Sequence, residues 1–132
     1  MGGHGGLYLG IRHQDVFGLA GSIAGGVDLR PFPNNWDIKK RIGDSVSHPE
    51  NWKNFSVVSQ LDKLDSGKMK LIIDCGVSDF FLNVNRELHT ALLSKNIPHD
   101  YSERPGGHNG AYWGNSIDFQ LLFFRKNFKS AK

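Results

Sequence analysis

The chain has 132 residues, 39% hydrophobic and 11% aromatic, with 16 basic and 13 acidic side chains and a net charge of +3. That length fits one domain, and the composition supplies a core, which excludes an intrinsically disordered chain. No apolar run reaches the roughly 18 residues needed to cross a bilayer, and the opening residues read neither as a secretory signal nor as a myristoylation site.

The first element is expected at 6–13, a short helix entered from glycines, since four of the first six residues in "MGGHGG" are glycine. "VFGLAGSIAGG" (16–26) is small, apolar and bounded by turn signals, which suits a buried parallel strand. Residues 27–50 carry three prolines and two asparagines and are expected to form an excursion holding a helical turn or two. A helical stretch follows at 50–65. "MKLIIDCG" (69–76) is a second buried strand. The segment 78–97 reads as a helix with Phe81, Val84, Leu88 and Leu92 on its inner face. "HDYSER" (99–104) is a third strand, polar enough for an edge. A last helix is expected at 112–128, burying Ile117, Leu121, Phe124 and Phe128. Helices alternating with strands argue for an α/β fold, about three parallel strands flanked by helices.

The basic excess gathers in "RKNFKSAK", with Arg125, Lys126, Lys129 and Lys132. A basic helix end complements the helix dipole. A basic stripe interleaved with aromatics is missing, so neither nucleic acid nor membrane is expected as a partner. The single cysteine, Cys75, excludes an internal disulfide and reads as a small buried hydrophobe. His4, His13, His48, His89 and His99 show no metal-binding spacing, and no metal or cofactor is expected. Asp74 lies within a strand, badly placed to orient a histidine.

Two loops carry the candidate chemistry. Asp79 in "CGVSDFF" lies just beyond the second strand, and His108 in "ERPGGHNGAYW" just beyond the third. Groups beyond the carboxyl ends of parallel strands open onto one crevice. There an acid can orient an imidazole, which can take a proton from a hydroxyl nucleophile. Each residue also has a plainer reading, Asp79 as a helix cap and His108 as a turn histidine bonded to backbone.

With these residues the chain resembles the Putative esterase family of α/β-hydrolases, the group of esterase D, tributyrin and feruloyl esterases and the mycolyltransferases. The family pattern S-M-G-G-H-G-A/G is matched after its serine by "MGGHGG". C-G-x-x-D is matched by Cys75, Gly76 and Asp79, and G-G-H-x-x-x-x-W by Gly106, Gly107, His108 and Trp113. The resemblance implies the C-terminal half of an α/β-hydrolase fold, with Asp79 as acid, His108 as general base, and backbone N–H groups at Met1 and Gly2 facing the oxyanion. It implies a serine carboxylesterase that transfers an acyl group to water. Phe32 and Trp36, in the lid-like excursion 27–50, would line the substrate pocket or serve the core.

The nucleophilic serine is then expected immediately ahead of Met1, and the 132-residue chain is expected to be a truncated, inactive half. Its substrate would be a small-molecule or carbohydrate-linked ester. Without a neighbour for its first strand it is expected to self-associate or to pair with an N-terminal half. A non-catalytic binding protein on the same scaffold and an acyltransferase are the alternatives.

Overall fold

The computed structural model describes residues 1–128; Lys129 and Lys132 of the basic tail lie outside them. Three parallel strands, β1 (Leu19–Ile23), β2 (Lys70–Gly76) and β3 (His99–Arg104), form one sheet in the order β1-β2-β3. Leu19 stands beside Lys70 and Leu71 beside His99. The helices are α1 (Gly2–Arg12), α2 (Lys39–Ile42), α3 (Pro49–Asn54), a 3₁₀ helix (Val57–Lys63), α4 (Leu82–Ser94) and α5 (Gly110–Asn127).

β2 is the central strand, buried at every position but Lys70. Because side chains alternate along a strand, Leu71, Ile73 and Cys75 face one layer and Ile72 and Asp74 the other. The first layer is the main apolar core, where they meet Leu7 and Ile11 of α1, Val57 and Leu61 of the 3₁₀ helix, and Val84, Leu88 and Leu92 of α4. α5 covers the second layer, packing on β1 and β2.

The dense glycines at the start prove to be helical. α1 begins at Gly2, earlier than its apolar residues suggest, and lies almost directly on β1 and the loop after it. A Cβ on Gly3 would stand 2.9 Å from the Cα of Gly25, and one on Gly10 would stand 2.9 Å from the Cβ of Ala20. Glycine is what permits this close approach.

β1 is shorter than its apolar run. Val16 and Phe17 turn back to the carbonyl of His13 before it, and Ala24, in the left-handed region at φ 50°, turns the chain away after it. The expected helix at 50–65 divides at Phe55–Ser56. There the Ser56 hydroxyl accepts the Leu29 N–H (2.9 Å) and lies 3.1 Å from a carboxylate oxygen of Asp28, rooting the excursion in the core.

The inner face of α5 differs from expectation. Ile117, Leu121 and Phe128 are 44%, 58% and 69% exposed, while Tyr112, Ser116, Gln120 and Phe123 are buried. The sheet beneath presents polar groups. Tyr112 and Ser116 meet the carboxylate of Asp74, and the Gln120 amide lies 3.3 Å from the Ser22 carbonyl oxygen. The apolar stripe is turned sideways, and Phe124 with Ile117 lines the clefts along the outer edge of β1. Among the described residues no segment pairs with that edge.

Candidate active site

Two loops leave the carboxyl ends of β2 and β3 and cross. The Val77 N–H donates to the Arg104 carbonyl and the Ser78 N–H to the Gly106 carbonyl, each at 2.9 Å. The crossing demands glycine twice. A Cβ on Gly76 would stand 2.3 Å from the Gly106 oxygen, and Gly106 itself has φ +132°.

This crossing brings Asp79 and His108 together. Asp79 Oδ2 lies 2.9 Å from His108 Nδ1, and the other carboxylate oxygen accepts the Phe81 N–H at 2.8 Å. Asp79 therefore ties down the turn ahead of α4 and engages the histidine as well. Its side chain is fully buried, whereas that of His108 is 26% exposed. An ionised carboxylate only accepts, so the bonded Nδ1 is the donor, which in a neutral imidazole places the lone pair on Nε2. Asn109 caps α5 behind the histidine, its side-chain oxygen accepting the Tyr112 N–H at 3.0 Å.

Aromatic rings surround the imidazole. Phe80 lies 4.6 Å away, Phe81 5.5 Å and Trp113 5.2 Å between ring centroids. Phe32 packs edge-on against Phe81 (5.1 Å) and belongs to the fringe of the core. Trp36, 53% exposed, reaches Phe80 (5.7 Å) and Phe81 (5.3 Å). The excursion thus meets the histidine through the two phenylalanines that follow Asp79. The sequence signal for them is the run "DFF", which reads only as apolar until the fold is known.

His108 shares a cleft of about 490 Å³ with Met1, Gly2, Ala24, Trp113 and Ile117. The first amides of α1 have no partner within their helix, so the positive end of the helix dipole opens on this cleft.

The remaining titratable groups lie elsewhere. His4 is buried with Nε2 2.7 Å from the Phe55 carbonyl, and burial holds it below the ordinary histidine range. His89 and His99 pair with each other at 2.7 Å. Cys75 is buried, and desolvation first, then the nearby Asp79 charge, pushes its thiol up to about 12, so it is no thiolate nucleophile. Among the described residues no group of three or more His, Cys, Asp or Glu is placed to hold a metal. Asp74, set aside in the sequence as badly placed to orient a histidine, is not bonded to His108; it is wholly buried and bonded to Tyr112, Ser116, Ser102 and Arg104.

A parallel sheet clothed by helices, with a carboxylate and then a histidine on successive strand ends, has the design of the α/β-hydrolases. The chain belongs to the Putative esterase family, which it matches over residues 1–124. It is 28% identical over 131 residues to an acetyl esterase of Caldicellulosiruptor saccharolyticus, covering 89% of this chain and 48% of that protein. Its fold superposes on a ferulic acid esterase with a TM-score of 0.76 at 27% identity, covering 98% of this chain and 49% of the other. FphF, a fluorophosphonate-binding serine hydrolase of Staphylococcus aureus, shares the fold with a TM-score of 0.75 at 23% identity, covering 92% and 49%. The chain spans about half the length of these relatives.

Proposed function

We propose that this chain supplies the acid and the general base of a carboxylic ester hydrolase. The observation that carries the reading is the 2.9 Å bond from His108 Nδ1 to the buried Asp79, on a cleft that also receives the start of α1. Nε2 of His108 takes the proton of a serine hydroxyl, which in the family pattern stands immediately ahead of Met1. The serine oxygen attacks the ester carbonyl, and His108 hands the proton to the departing alcohol. Asp79 holds the imidazole in the Nδ1–H tautomer and stabilises the imidazolium. Backbone N–H groups at Met1 and Gly2, at the positive end of α1, face the oxyanion. Water then repeats the sequence on the acyl-enzyme. No metal or cofactor enters.

Phe32 and Trp36 of the excursion are the substrate-facing residues in this reading, supported by the packing of Trp36 on Phe80, which in turn lies against His108. The substrate in this reading is a small-molecule or carbohydrate-linked ester; the relatives named for acetyl and ferulic esters support an ester as such. The clefts along the outer edge of β1 support pairing there with the rest of a full-length family member, or with a second copy.

Hydrolysis of p-nitrophenyl acetate tests the reading, measured on the protein at family length with its own upstream sequence. Asp79→Asn should lower kcat about ten-thousand-fold with KM little changed, and His108→Ala should lower it at least as far. Activity that survives both substitutions would overturn the assignment.

A further inference from the structure

His108 sits in "RPGGHN", a short loop held to its neighbour at Gly106 by the Ser78 N–H and closed by the Asn109 cap of α5. Its two ends converge on a single carboxylate. Arg104, the last residue of β3, enters the loop, and its guanidinium Nη2 pairs with Asp74 Oδ2. Tyr112, in the first turn of α5, leaves the loop, and its hydroxyl donates to Asp74 Oδ1. The Tyr112 ring also lies against Gly106, where a Cβ would come within 2.6 Å of the ring.

Further contacts make the anchor rigid. Ser116 and Ser102 hydroxyls each lie 3.1 Å from Asp74, and Arg104 also reaches Ser102 (3.1 Å) and Ser116 (3.3 Å). The Phe119 ring covers the guanidinium at 4.0 Å. Burying the Asp74 carboxylate fully, against an Arg104 side chain only 19% exposed, is a poor way to gain stability, because apolar side chains of the same volume do as well or better. What it supplies is direction. Asp74 lies on β2, and Asp79 lies in the turn that ends it, so the carboxylate that meets His108 and the one that anchors its loop share one support.

We propose that Asp74 is a positioning residue which, through Arg104 and Tyr112, sets the distance and orientation of His108 against Asp79. The inference rests on the reading of Asp79 and His108 as acid and base. Its test is the proton spectrum of the 132-residue chain. The hydrogen-bonded Nδ1–H of His108 should give a low-field imidazole resonance, assigned by its disappearance in His108→Gln. Tyr112→Phe removes one hydroxyl and Arg104→Lys keeps the cation but loses the fork. Each should abolish or broaden that resonance while the methyl signals of Leu88 and Leu92 in the core stay in place. A resonance unchanged in both folded variants would overturn the positioning role and leave the acid–base pair standing. Its absence from the unsubstituted chain would overturn the pair, and this role with it. Should Tyr112→Phe not fold, Arg104→Lys decides on the same terms.

Discussion

Gly76 and the carbonyl of Gly106 press together at the crossing of the two site loops, leaving no room for a methyl group between them. Overpacking against backbone is relieved only by moving a chain segment, at a cost of about 1–3 kcal/mol. Gly76→Ala is therefore expected to lower stability by about that amount, read from urea denaturation. In the family-length enzyme it should also depress kcat, because the segment that must move carries His108.

The rim formed by Trp36 and Phe80 should discriminate among substrates. Trp36→Ala is expected to reduce kcat/KM for a naphthyl ester about tenfold, the effect of losing one or two kcal/mol of ring contact. p-Nitrophenyl acetate should be affected far less. Equal losses on both substrates would show that Trp36 acts on the fold and not on the ester.

His4 gives stability a pH dependence. Burial lowers its proton affinity in the folded chain below the ordinary value of 6.5. A base whose folded-state pKa is depressed favours folding in its neutral form. Its contribution is complete above the unfolded value and is lost as pH falls through 6.5 toward the folded value. The unfolding free energy should decline between about pH 7.5 and 5.5, and His4→Gln should flatten that decline.

Cys75 should resist alkylation. With its thiol buried and pushed up to about 12, the folded chain should react with iodoacetamide at neutral pH far more slowly than the chain in urea. Equal rates would mean that the central strand opens readily.

Among the described residues the outer edge of β1 is unpaired. Leu121 and Ile117 are exposed, and Ile117 lines the cleft beside that edge. Sedimentation should show self-association that Ile117→Lys with Leu121→Glu weakens, the folded spectrum being retained. A stable monomer at high concentration would argue that the edge is already protected.

The alternation of helices and strands and the inner face of α4 were legible because both depend on periodicity. Phe81, Val84, Leu88 and Leu92 repeat as a helix repeats, and all four are buried. Asp79 and His108 were legible through topology, since parallel strands deliver their carboxyl ends to one side. α5 was misread for a physical reason. Its buried face includes Ser116 and Gln120, whose value lies in the polar groups of β1 and β2 beneath them, and hydropathy scores each residue without its partner. Trp113 was legible only as part of a family pattern and Phe80 only as an apolar residue, because their place beside His108 exists only once the two loops have crossed.

Asp79 follows β2 and His108 follows β3, while the excursion reaches the histidine through the rings of Phe80 and Phe81. On the proposed reading, the groups that move protons thus belong to the sheet, and the surface that meets the ester belongs to the excursion. On that reading, a change in the excursion reaches the 2.9 Å bond between Asp79 and His108 by way of those two rings. One such scaffold can serve many esters by revising a single stretch of chain.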